Sequence, residues 1–188
     1  VAYHKGDVGF GSYVKRLANY GFDNDFVIQQ FLEAYGMEST LDFKRVEGER
    51  RTVIEKLTKT LDEKEISNLV AQSLAYRMGR IGFGGYYQGL RDLCETKGIR
   101  LSQTPNFENY IRYVLLSDGI KADNLFKAVD KLEQKVVASL AKSPEEKRLA
   151  SLSEQISLVD KLLDFSLTPN EVGKFSEQKQ SLSDISSS

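Results

Sequence analysis

The sequence predicts an all-α protein made of two diverged copies of one helical unit, each with two short helices followed by a long antiparallel αα-hairpin. Three observations carry this reading. Apolar residues recur at steps of three and four, strand patterns are nearly absent, and a glycine and aromatic motif returns later in the chain. Gly9-Phe10-Gly11-Ser12-Tyr13-Val14-Lys15-Arg16-Leu17 reappears as Gly82-Phe83-Gly84-Gly85-Tyr86-Tyr87-Gln88-Gly89-Leu90, identical at five of nine positions. From Phe43/Phe126 a second register runs without a gap to Gln72/Gln155, with ten of thirty positions identical, so the match is not confined to one motif. The offset grows from 73 to 83 because the second copy has a longer connection, Glu95 to Thr104 against Asn19 to Asp25. Self-similarity of this kind is the mark of stacked helical units, here a bundle or short solenoid-like array. The expected boundaries are a tail over 1–8, repeats over 9–81 and 82–175, and a polar tail over 176–188.

In the first copy, helices are expected over Tyr13 to Tyr20 and Asp25 to Tyr35, stopped by Gly21 and Gly36. The hairpin that follows has stripes Phe43, Val46, Val53, Leu57 and Ile66, Leu69, Ser73, Tyr76. Between them Thr60-Leu61-Asp62-Glu63 reads as a capping box, so the chain folds back there. In the second copy, Tyr86 to Lys97 is expected to end at Gly98, and Pro105 to Ser117 to open behind Thr104 as its cap. The aromatic segment Phe107, Tyr110, Ile111, Tyr113, Val114 and Leu115 is more apolar than one face requires, which fits a central core helix or a partner surface. The second hairpin has stripes Leu125, Val129, Leu132, Val136, Leu140 and Leu149, Leu152, Ile156, Val159, Leu163, both expected to face inward. Its turn is the box Ser143-Pro144-Glu145-Glu146. A third box, Thr168-Pro169-Asn170-Glu171, opens a short final helix. The stretch Ile99 to Gln103 looks extended but is too short and partnerless for a sheet.

With 188 residues the chain can bury a sizeable core, and 40% hydrophobic with 28% charged residues is a helix-permissive globular composition. Lys and Arg number 26 against 27 acids, so the net charge of −1 gives no global field toward nucleic acid or an anionic membrane. Any such binding has to be local. No apolar run is long enough to span a membrane. The single cysteine, Cys94, cannot form an intrachain disulfide, which removes the disulfide-stapled secreted class and favours a cytoplasmic compartment. The chain starts at Val1 rather than Met, which leaves room for a removed leader or a longer parent protein.

Catalytic signatures are missing from the pattern. His4 is the only histidine and lies in the glycine-flanked N-terminal tail; Cys94 sits on an amphipathic helix where a buried small hydrophobe is expected. No metal site and no cofactor follow from these residues, since soft metals need more His or Cys ligands. Gly82-Phe83-Gly84-Gly85 fits neither a dinucleotide fingerprint nor a phosphate loop. Whether the chain is an enzyme is left open. The segment that stands out is Tyr76 to Arg91, with basic and aromatic residues and no acid up to Arg91. Its candidate binding residues are Arg77, Arg80, Phe83, Tyr86, Tyr87 and Arg91, because glycines at a helix N-terminus expose backbone N–H groups while arginine and tyrosine add charge and stacking. The competing structural role is that Phe10/Phe83 and Tyr13/Tyr86 plug the base of each hairpin while the glycines permit close approach. The expected function is a non-enzymatic helical protein-interaction or scaffold module, with a protein partner or self-association. One alternative is binding of nucleic acid or a phosphate-bearing ligand through residues 76–91, and a second is an accessory helical domain of a larger enzyme.

Overall fold

A computed structural model describes residues 8–20, 24–165, 167 and 171–176. Among these residues the protein is all-helical, with no strand. In chain order the helices are α1 (Phe10–Tyr20), α2 (Phe26–Glu38), α3 (Phe43–Thr60), α4 (Glu63–Arg77), α5 (Phe83–Thr96), a 3-10 turn (Leu101–Gln103), α6 (Pro105–Asp118), α7 (Ala122–Leu140) and α8 (Pro144–Leu163). A short helical segment follows over 171–176, while Thr168, Pro169 and Asn170 lie outside the described residues.

Local side chains explain most of the starts. Asp25 Oδ1 accepts from Val27 N at 2.9 Å to open α2, and Asp42 Oδ1 accepts from Lys44 N and Arg45 N at 3.1 Å to open α3. Ser143 and Glu146 form the expected box at α8, with Glu146 N donating to Ser143 Oγ at 3.1 Å and Ser143 N to Glu146 Oε2 at 2.9 Å. At α4 the box is Asp62 with Glu65, not Thr60 with Glu63. Thr60 is still helical and donates its hydroxyl back to Leu57 O at 3.0 Å, which takes it out of capping the next helix. Gly36 does not stop α2 either. The helix runs on to Glu38 and ends where Ser39 Oγ bonds Gly36 O and Thr40 Oγ1 bonds Met37 O, both at 2.8 Å. Gly98 does end α5, in the left-handed conformation at φ 69°.

The chain divides into two compact units, Val1–Lys15 with Asn24–Ala128, and Arg16–Asp23 with Val129–Ser188. In the first, α6 is central, packed by α2, α3 and α5. That placement accounts for its excess of apolar residues: Phe107, Ile111 and Val114 are buried, and Tyr110 and Tyr113 pack half-buried against the same core. The core adds Val46, Val53 and Leu57 from α3, Leu69 from α4, and Tyr86, Tyr87, Leu90 and Cys94 from α5. Helices α2 and α6 run antiparallel, since Gln30 Nε2 donates to Leu116 O at 3.0 Å and Glu33 pairs with Arg112. The expected Thr104 cap is replaced. Thr104 is buried and bonds back to Leu101 O, while Glu49 of α3 accepts from Asn106 Nδ2 at 2.6 Å and Phe107 N at 2.9 Å. A carboxylate reaching over from a packed helix satisfies the helix N-terminus better than a hydroxyl turned inward.

In the second unit, Val129, Leu132 and Val136 of α7 are buried, as the stripe requires, but Leu140 is exposed. The expectation for α8 is overturned. Leu149, Leu152, Ile156, Val159 and Leu163 are 66, 46, 62, 45 and 70% exposed, whereas Leu158 is buried. Lys161 pairs with Glu171, and Lys174 lies 3.4 Å from Glu154 and 3.8 Å from Asp130, so the segment 171–176 holds α8 on the side away from its leucines. Helical spacing fixes which residues share a face; it does not fix which face is covered.

Candidate functional site: a tyrosine-floored groove

Helices α3 and α4 stand apart enough to leave a groove of about 1070 Å³ between them. Residues of α3 spaced three and four apart, Phe43, Glu47, Arg50, Ile54 and Thr58, line one wall, and Ile66, Leu69, Val70, Ser73, Leu74 and Arg77 of α4 line the other. Tyr76, Tyr86, Tyr87 and Tyr110 form the floor. Val70 and Leu74 are 61 and 52% exposed, as is Phe43 at 61%, an apolar rim on a surface where charge is otherwise common.

The floor is a packed aromatic cluster. Tyr76 stacks on Tyr86 at 4.5 Å between ring centroids, Tyr87 meets Tyr86 edge-on at 5.1 Å and Tyr110 at 5.3 Å, and Phe43 meets Tyr110 at 6.3 Å. These are the offset and T-shaped geometries that aromatic quadrupoles favour. Ser73 Oγ and the Tyr86 hydroxyl lie 3.1 Å apart, tying α4 to α5. Burial raises the Tyr87 hydroxyl far above the ordinary phenol range, and neighbouring Tyr110 adds to the shift. Burial also raises Tyr76, again with Tyr110 contributing. Both rings therefore stay neutral at physiological pH, available for stacking and hydrogen bonding and not as bases. On the rim Arg50 grips Glu47 through two bonds, Nε–Oε2 at 2.9 Å and Nη2–Oε1 at 2.7 Å. This pairing lowers the Glu47 carboxyl and raises the Arg50 guanidinium.

The residues singled out from the sequence divide between places. Tyr86 and Tyr87 are buried in the groove floor and Arg77 is on its wall. Phe83 is 57% exposed and meets Tyr76 edge-on at 5.2 Å. Arg80 is exposed and lines neither this groove nor the second pocket. Arg91 lines that second pocket, about 730 Å³, together with Arg100, Arg112, Glu95 and Glu108. A Cβ added at Gly84 would overlap the Asp118 carboxylate, so that side chain lies against the first turn of α5, a turn that carries no side-chain cap hydrogen bond. Sequence reading missed Arg50, Arg51 and the Val70/Leu74 rim, whose signal was the i, i+3/i+4 recurrence along α3 and α4; Tyr110 was read as part of a core or partner-facing helix, and only the fold brings it to Tyr87.

Cys94 is fully buried, and burial pushes its thiol up to about 11, which leaves it protonated and unreactive at neutral pH. His4 lies outside the described residues. Among the described residues, no group of three or more His, Cys, Asp or Glu could hold a metal ion, and no helix is long and apolar enough to cross a membrane. No known protein family, curated protein or solved structure matches this chain.

Proposed function

We propose that the protein is a non-enzymatic interaction module whose α3/α4 groove takes an apolar-faced helix of a protein partner. The observation that carries this reading is the exposure of Phe43, Val70 and Leu74 along an open groove with a fixed aromatic floor. Amphipathic helices anchor in such grooves through residues at i, i+3/i+4 and i+7, and tyrosine offers large contact area at low entropic cost. The test is photo-crosslinking with p-benzoylphenylalanine placed at Val70, in the groove, and at Ser151, outside it. Adducts at Val70 with none at Ser151 are expected; equal yields at both positions would remove the groove from consideration.

The two-copy organisation is part of the same proposal. In its support, Gly11 and Gly84 occupy equivalent places in the motif, and a Cβ at either would overlap one residue, Tyr35 or Asp118. Tyr35 and Asp118 are themselves equivalent at the offset of 83, so each copy repeats one close approach between its first and second helices. A second functional reading, an anionic ligand such as a phosphate ester, draws on Arg91 and Arg100 in one pocket, where Arg112 is already paired with Glu33 and Glu95 and Glu108 also line the wall. Steep weakening of phosphate binding with salt would favour it, and absence of phosphate binding would dismiss it.

A further inference from the structure

The groove between α3 and α4 differs in charge from one end to the other. Because the two helices form a hairpin that turns near Leu61, the start of α3 lies beside the end of α4. That end gathers Arg50, Arg51 and Arg77 around the tyrosine floor, where Ser73 reaches the Tyr86 hydroxyl and Phe43 meets the Tyr110 ring. The end nearer the turn is lined by Ile54, Thr58, Ile66 and Leu69, with Glu55 as its acid. At the arginine end the acid lining the groove is Glu47, and Arg50 already holds both of its oxygens. Arg51 acts on Glu47 only at longer range. Arg51 and Arg77 are both exposed, and neither forms an ion pair among the described residues. Two guanidiniums thus stand unmatched on a surface whose apolar rim is open to a partner.

Given the docking role proposed above, on which this step rests, we infer that the occupant is an amphipathic protein helix with carboxylates beside one end of its apolar stripe. Those carboxylates lie over Arg51 and Arg77. A guanidinium meets a carboxylate through a fork of N–H donors, and docking removes water from the pair, so each contact is stronger than on an open surface. Tyr76 and Tyr87 beneath stay neutral, so the floor adds no competing anion. A helix with cations at that end would face like charge, which selects against it. Nucleic acid fits less well. The chain carries a net charge of −1, and no Lys or Arg lines the half of the groove nearer the turn, so a phosphate backbone running along it would find no counter-charge there.

The test is fluorescence anisotropy of the whole chain with two synthetic helical peptides. They share one leucine stripe and differ only beside its end, where one carries glutamates and the other glutamines. The glutamate peptide is expected to bind about fivefold or more tightly at low salt, with the margin shrinking as salt rises. In the double variant Arg51→Gln/Arg77→Gln, altered at two exposed positions and checked for fold by circular dichroism, the margin should vanish while the glutamine peptide binds as it does to wild type. p-Benzoylphenylalanine at Val70 reports whether the peptide sits in the groove. Equal binding of the two peptides with adducts at Val70 would overturn the charge assignment and leave the docking role standing. Binding of neither peptide, or no adduct at Val70, would remove the docking role and this assignment with it. A margin that persists in the folded double variant would overturn the assignment to Arg51 and Arg77. An oligothymidine that binds more tightly than the glutamate peptide would overturn it in favour of nucleic acid.

Discussion

Removing the Glu49 carboxylate tests how the central helix is held. Glu49→Ala deletes two bonds at the N-terminus of α6, one from Asn106 Nδ2 and one from the Phe107 backbone, in a partly buried setting. A hydrogen bond to a charged group contributes about 1.5–3 kcal/mol when shielded, and loss of an N-cap typically costs about 1 kcal/mol. Partial exposure reduces the first figure, so the expected total is about 2 kcal/mol. For a chain of this size that is a fall of about 4–8 °C in the melting midpoint. Glu49→Gln keeps an acceptor but loses the charge facing the helix dipole, and should cost about half as much. Glu55→Ala, exposed on the same helix, serves as the control for charge and helix propensity. Thermal melts by circular dichroism supply the readout. If Glu49→Ala and Glu55→Ala melt together, α6 is not capped from α3 and the assembly of its first turn is misread.

Other perturbations follow from burial and close approach. Gly84→Ala meets the Asp118 carboxylate and should cost about 1–3 kcal/mol by overpacking, whereas Gly85→Ala enters open space on the same helix and should be neutral or stabilise by up to about 1 kcal/mol; equal urea midpoints for the two would refute the difference. Leu132→Ala empties a fully buried site and should cost about 2–5 kcal/mol, while Ile156→Ala, 62% exposed, should cost far less. Stability should also fall with alkali. The buried Cys94 thiol titrates near 11 and Tyr87 still higher, against about 8.5 and 10 in the unfolded chain. Between those limits the unfolded state releases protons that the native state retains, so urea midpoints should decline from about pH 8.5 and more steeply above 10, with a flat profile contradicting the assigned burial.

Much of the helical framework was legible because its signals are local. Asp25 and Ser143 mark starts through bonds to residues two or three positions away, and Gly98 marks a stop through its own backbone, whereas the Asp42 cap of α3 went unread. The misassignments arose where a competing partner decided the outcome. Thr60 turned back to its own helix and Asp62 took its place, and Thr104 lost its capping role to Glu49, far away in sequence. On α8 the periodicity identified one face correctly, but what lies opposite a face is tertiary information. Site residues divide in the same way: Tyr86 and Tyr87 stood out because they sit beside arginines and glycines in the chain, while Arg50 and Tyr110 join them only when α3 and α6 pack together.

The claim that the α3/α4 groove is the docking surface is tested most directly by titration calorimetry of the partner cross-linked at Val70 against wild type and Leu74→Glu. Leu74 is half-exposed on the groove wall, so the substitution places a carboxylate on the docking surface without emptying the core. A folded Leu74→Glu protein that binds at least tenfold more weakly, a loss of about 1.4 kcal/mol or more, is the expected result. Unchanged affinity in a variant of native helicity would contradict the account.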